Sequence, residues 1–191
     1  MKKYLLKMIG IMLILGAFIN IYKENNNKHY IEITVTQINL ASANIRNEEE
    51  MRAKMVVYEG LTLNELSEKL DKVLKSDLAG YGRYISEVSL EKNVDPIVAT
   101  SILLHETGCM WKCSYLARVK YNVGGMRGRN GYMKFDSMEE GIRAFVGNLQ
   151  KNYYEKGLTT PELMNRKYAE NPNWHKNVNY YVKLIKASEV N

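Results

Sequence analysis

The sequence predicts a mainly helical domain that carries one small β-hairpin and follows an apolar N-terminal helix. Three observations predict it. From Thr62 onward apolar residues recur at three- and four-residue steps behind recognisable helix caps. One glycine-rich stretch, Gly124 to Gly131, interrupts the helical pattern and contains the turn dipeptide Asn130-Gly131. Near the start, Met8 to Tyr22 contains no charged residue and is preceded by Lys2, Lys3 and Lys7. At 191 residues, 46% hydrophobic and 25% charged, the chain has room for one globular domain plus appendages. A net charge of +6 suits an anionic setting, such as a wall polymer or a membrane surface. No nucleic-acid-binding module is present, which sets nucleic acid aside as a partner.

The run Met8–Tyr22 is long for a signal-peptide core and slightly short for a spanning helix. Lysines in front of it argue for a cytoplasmic N-terminus and an exported remainder. Residues 1–22 are therefore expected to be a retained signal anchor, giving a single-pass membrane protein, or a cleaved signal peptide of a secreted one. A buried helix of a soluble fold is the third reading. Ala41-Ser42-Ala43 has the form of a cleavage site but lies too far downstream. Residues 23–60 are polar and Asn-rich, with a β-favouring run at Tyr30–Ile38 and a mixed-charge helical pattern at Arg46–Lys54. They are expected to form a stalk between the membrane and a domain at 61–191.

In that domain Thr62 and Glu65 form a capping box, and Leu63, Leu66, Leu70, Val73 or Leu74, and Leu78 continue a helix that Gly80 and Gly82 break. A second helix spans about Arg83–Lys92. Asp95 caps a third, Pro96 opens it and Gly108 stops it. Ile97, Val98, Ala99, Ile102, Leu103 and Leu104 cover nearly its whole circumference, so it is buried on most sides. Glu106 follows Leu103 by three, Ile102 by four and Ala99 by seven, which puts a carboxylate at the end of the buried stripe. Burial there raises the pKa, as a general acid requires; a capping or ion-paired Glu is the alternative. Cys109 and Cys113, the only cysteines, form a local disulfide or stay as two free thiols. His105-Glu106 is no zincin motif, because position 109 is Cys rather than His, and neither a metal nor a cofactor is expected. Ser114–Lys120 reads as a short helix, Arg127–Gly131 as a hairpin and Tyr132–Phe135 as its return strand. Ser137 with Glu140 caps the next helix, Thr160-Pro161 opens another, and Val178, Val182 and Ile185 mark a last amphipathic one.

Asn93-Val94-Asp95-Pro96 running into Ile102–Gly108 resembles the catalytic helix of lysozyme-like peptidoglycan glycosidases, most closely the glucosaminidase and lytic transglycosylase branch. Tyr121-Asn122-Val123-Gly124-Gly125, Tyr132–Ile142 and Tyr168–Trp174 match the same families in order, with Asn171 in place of the usual Asp. The resemblance implies a lysozyme-like helical domain with a small β-lobe over a cleft. Glu106 would be the catalytic acid and Tyr168 would donate a hydrogen bond near the reacting sugar. Asn122, Gly124, Gly125, Tyr121, Tyr132 and Trp174 would bind the substrate, the glycan strands of peptidoglycan. The lobe, Gly124 to Phe135, contains no Asp or Glu, which leaves Asp136 as the candidate second carboxylate. The expected activity is cleavage of β-1,4 bonds by an N-acetylglucosaminidase. A lytic transglycosylase or muramidase using the same Glu, a non-catalytic glycan-binding or assembly protein, and a cysteine peptidase are the alternatives.

Overall fold

The computed structural model describes residues 28–190, which fall into two compact units that meet at Ala53–Lys54. The first contains helix α1, Lys28–Lys54. The β-favouring run Tyr30–Ile38 lies inside this helix, contrary to expectation. A lone strand has no neighbour for its backbone N–H and C=O groups, whereas a helix pairs them internally. Ser42 Oγ also donates to the Ile38 carbonyl at 2.8 Å. Among the described residues no helix is long and apolar enough to cross a membrane. The apolar run Met8–Tyr22 lies outside the described residues.

The second unit, Lys54–Asn191, is mainly helical. Two short strands open it, β1 (Val56–Tyr58) and β2 (Leu61–Thr62), paired antiparallel. Residues 54–60, expected in the stalk, therefore belong to this unit, and Tyr58 donates its hydroxyl to Asp95 Oδ2 at 2.9 Å. Helix α2 (Leu63–Asp71) has the capping box, with the Thr62 N–H donating to Glu65 at 2.7 Å. It stops earlier than the leucine spacing suggests. Lys75 N–H donates to the Cys109 carbonyl at 2.8 Å and Ser76 takes a positive φ of 55°, so Leu78 reaches the core from a 3-10 turn, Ser76–Leu78. Helices α3 (Gly82–Glu91), α4 (Pro96–Thr107) and α5 (Tyr115–Lys120) follow. A second hairpin, β3 (Arg127–Gly128) with β4 (Gly131–Tyr132), pairs Arg127 with Tyr132 and Gly128 with Gly131. Its two-residue connection is Arg129-Asn130, one residue earlier than the expected turn, and the positive φ falls on Gly131. Helices α6 (Met138–Asn152), α7 (Pro161–Tyr168) and α8 (Trp174–Ala187) complete the unit.

Helix α4 is the axis of this unit. Asp95 Oδ1 accepts from the Ile97 and Val98 N–H groups at 2.8 and 2.9 Å. Every residue from Pro96 to Leu104 is buried. Three hydroxyls that would otherwise be stranded in this apolar setting donate one turn back, Thr100 to the Pro96 carbonyl, Ser101 to Ile97 and Thr107 to Leu103, each at 2.7 Å. Helix α4 packs most heavily on α8, and α2 on α3. Phe145, Val146 and Leu149 of α6 join the same core. Glu106 near the end of α4, Trp174 at the start of α8 and Met126, Arg127 and Met133 on the hairpin arms line one cleft.

Candidate active site

The C-terminal end of α4 brings Glu106 to the floor of a cleft of about 530 Å³. Desolvation raises its carboxyl above the ordinary carboxylate range, while His105, Trp174 and Tyr168 pull in the other direction. Burial prevails, as it does when a carboxyl leaves water without a full cationic partner. Glu106 is the only carboxylate among the described residues that line the cleft.

Tyr168, the last residue of α7, and Trp174, the first of α8, flank the connecting loop and approach Glu106. Their rings stack with centroids 4.3 Å apart, and Trp174 meets the His105 ring edge-on at 6.2 Å. The Tyr168 hydroxyl faces the carboxylate. Burial and the charge of Glu106 raise its pKa well above the usual tyrosine value, so it stays a neutral donor. The indole N–H of Trp174 is buried and closes no hydrogen bond of ordinary geometry, so it acts on the carboxylate as a nearby dipole. The loop is held by a buried amide. Asn165 Nδ2 donates to the Asn171 carbonyl at 2.9 Å, and its Oδ1 accepts from the His175 backbone N–H at 2.9 Å. Asn171, the departure from the family pattern, accepts from the Asn173 N–H at 2.9 Å and shapes a turn at a distance from the chemistry.

The β3–β4 hairpin supplies the other wall. Gly124 lines the cleft, and a Cβ there would stand 2.5 Å from Cδ2 of the buried Phe145. Gly141 on α6 lets the chain before the hairpin pass, since a Cβ would stand 1.7 Å from the Tyr121 carbonyl oxygen. Asn122 was expected to bind sugar. It is buried at 1% exposure, and its amide is consumed by the hairpin. Its Nδ2 donates to the carbonyls of Met126 at 2.8 Å and Met133 at 2.9 Å, and its Oδ1 accepts from the Met126 N–H at 2.8 Å. Asn122 clamps the two arms of the lobe through these bonds and is not among the residues that line the cleft.

Of the other expected site residues, Glu106, Tyr168, Trp174 and Gly124 come together in the cleft, whereas Tyr121, Gly125 and Tyr132 are not among its lining residues. Tyr132 is exposed and its ring lies under the Arg127 guanidinium at 4.5 Å. Asp136 is exposed and is not among the residues that line the cleft, and its backbone N–H donates to Glu140 at 2.8 Å. Cys109 and Cys113, in the segment that follows α4, are joined in a disulfide with Cα atoms 4.2 Å apart, so neither is a free nucleophile. Among the described residues no group of His, Cys, Asp and Glu is arranged to hold a metal ion. Met126, Arg127, Met133, Asn148, Tyr153 and Ala169 also line the cleft without having been singled out. Three of them sit on the hairpin arms, where the lobe implied by the resemblance was the available signal. Asn148 and Tyr153 come from the far end of α6, and nothing local marks them. The Tyr153 ring lies 5.4 Å from Tyr168, and burial together with the charge of Glu106 raises its pKa.

The site is thus a cleft with one protonatable carboxyl at its floor, a neutral phenol facing it, and aromatic and amide side chains around both. No curated protein matches the chain. The family profile described as mannosyl-glycoprotein endo-beta-N-acetylglucosaminidase matches residues 82–187, more than half of the chain, from the start of α3 through the last turn of α8. The chain belongs to the glucosaminidase family of glycoside hydrolases.

Proposed function

We propose that this protein cuts the glycan strand of peptidoglycan as an N-acetylglucosaminidase, with Glu106 as its general acid. The observation that carries the reading is the single carboxyl among the described residues that line the cleft, its pKa raised by burial, with Tyr168 beside it. Glu106 gives its proton to the bridging oxygen as the C1–O bond breaks, and the carboxylate left behind is stabilised by Tyr168 and the Trp174 dipole. With no second carboxylate among the described residues that line the cleft, the electron pair that C1 loses to the leaving oxygen is replaced from the substrate. The acetamido oxygen attacks C1, and water then opens the resulting ring as Glu106 takes back the proton. No metal or cofactor enters this scheme.

The same single carboxylate favours a second reading, a lytic transglycosylase. There the sugar's own 6-hydroxyl attacks C1, Glu106 receives its proton, and no water is consumed. The uncharged run Met8–Tyr22 behind Lys2, Lys3 and Lys7 supports a membrane-attached chain with the catalytic unit facing the wall.

Digestion of purified peptidoglycan by the full chain, beside Glu106→Gln, tests both readings by mass spectrometry of the products. Reducing N-acetylglucosamine ends establish the glucosaminidase, anhydro-muramyl ends the transglycosylase, and reducing muramic ends a muramidase. Retention of the glycan without any product establishes a binding protein instead. Equal activity in Glu106→Gln removes Glu106 from the mechanism.

A further inference from the structure

The segment that follows α4 carries exposed apolar and cationic side chains, none of which lines the cleft. Cys109 and Cys113 are both buried and joined, and between them Trp111 and Lys112 are exposed. Trp111 N–H donates to the Gly108 carbonyl at 3.0 Å and Ser114 N–H to the Thr107 carbonyl at 2.7 Å, which ties this loop to the end of α4. Ser114 then caps α5, where Ala117 is buried while Tyr115, Arg118 and Val119, at three- and four-residue spacing, are exposed. Trp111, Tyr115 and Val119 are 79%, 61% and 47% exposed, three large apolar side chains left in water over one short stretch. Single exposed apolar residues are ordinary, but a group of them on an ordered support marks a surface that something else covers. The charge around them is of one sign. From Thr107 to Phe135 the chain contains no Asp or Glu, while Lys112, Arg118 and Lys120 lie in the loop and helix. Among the described residues the ion pairs use Lys72, Arg83, Arg143 and Lys186, and none holds these three cations.

We propose that Trp111, Tyr115 and Val119, with Lys112, Arg118 and Lys120, form a docking surface for an anionic lipid bilayer. The proposal extends the membrane-attached reading of the chain and is independent of the bond that Glu106 cuts. Trp and Tyr favour the headgroup region, where the ring leaves water and its polar edge stays wet, and each Lys or Arg there gains from the negative surface potential. A phosphate polymer of the wall would engage the cations but give the three apolar side chains no apolar phase to enter. An uncharged sugar would stack on a ring but make no use of the cations. The bilayer satisfies both halves of the patch. The disulfide and the Ser114 cap already fix the loop and helix, so docking costs little ordering.

Fluorescence of the full chain tests this, since Trp111 is exposed and the other tryptophan, Trp174, is buried. The chain is added to vesicles of phosphatidylcholine alone, or mixed with phosphatidylglycerol, with bromine on the acyl chains as a contact quencher. The anionic vesicles are expected to quench Trp111 and shift its emission to the blue, and the neutral ones to do neither. Lys112→Gln with Arg118→Gln removes two cations and changes only exposed side chains. It should move the equilibrium between lipid-bound and free Trp111 about thirtyfold toward the free state. Absence of quenching in anionic vesicles, equal quenching in both, or unchanged quenching in the double variant overturns the proposal. So does an emission shift with soluble glycan fragments but not with lipid, which assigns the patch to the strand. Flotation of the same mixtures keeps the two membrane readings apart. A chain that floats with neutral vesicles while Trp111 stays unquenched is held by another segment, as the membrane-attached reading expects. A chain that leaves the neutral vesicles refutes that reading, and quenching in the anionic ones still decides the docking surface.

Discussion

Replacing Asn122 by Ala separates two roles that predict opposite results. The side chain makes three hydrogen bonds of 2.8–2.9 Å, two to carbonyls and one from an N–H, all to the backbone at Met126 and Met133. A neutral hydrogen bond contributes about 1 kcal/mol net, so three lost together amount to about 3 kcal/mol. Met133 is partly exposed, and water reaching its carbonyl offsets some of that loss. The expected cost is about 2–3 kcal/mol, a change of roughly thirty- to more than a hundredfold in the unfolding equilibrium. Urea unfolding followed by tryptophan fluorescence measures it, and hydrogen exchange at the Met126 and Met133 amides reports whether the hairpin opens first. If Asn122 instead bound sugar, the variant would keep wild-type stability within about 0.5 kcal/mol and raise KM. That outcome would refute the clamp.

Glu106→Gln should stabilise the protein at neutral pH. The native carboxyl titrates above its unfolded value, so the native state binds the extra proton and wild-type stability falls as pH rises from the unfolded pKa through the native one. The gain in Tm of the Gln variant should therefore disappear below about pH 4, where both states are protonated. Wild-type activity should decline as pH rises through the elevated pKa, since the acid form is consumed. Tyr168→Phe should lower kcat by roughly ten- to a hundredfold. It should also move the alkaline limb of the pH profile upward, because the hydroxyl lowers the Glu106 pKa. An unchanged limb would mean that the phenol does not touch the acid. Gly141→Ala, whose methyl meets backbone at 1.7 Å, should lower Tm more than Gly124→Ala, whose methyl meets a Phe145 ring that can turn aside. The reverse order in a thermal melt would contradict the packing.

Most helices of the second unit were legible because their signals are local. The Thr62–Glu65 box, the Asp95 cap, the Ser137 cap and the Thr160 cap all hold backbone N–H groups within three residues. Glu106 was legible for the same reason, since a 3.6-residue period places it on the buried stripe of its own helix. What the sequence hid depends on partners distant along the chain. Helix α2 ends early because Lys75 N–H is taken by the carbonyl of Cys109, a constraint that no pattern around Leu70–Leu78 contains. The strand-like run Tyr30–Ile38 is helical, because β propensity acts only when a neighbouring strand accepts the ladder.

Asn122 and Asn165 extend that lesson to the site. Both are buried amides beside the cleft, both spend donors and an acceptor on backbone, and neither lines the cleft. An amide in a motif near a glycan cleft invites assignment as a sugar ligand, because sugars are read by such groups. The same valences close a loop equally well, and burial weighs between the two uses, since an amide engaged in the interior has few valences left for a ligand. One amide fixes the hairpin segment that carries Gly124 and Arg127, and the other fixes the loop that Tyr168 and Trp174 flank. The reacting carboxyl sits on a rigid helix between them. The site therefore relies on two clamps for its geometry and one group for its proton. Loss of either clamp should cost stability and activity together, whereas loss of Glu106 should cost activity alone.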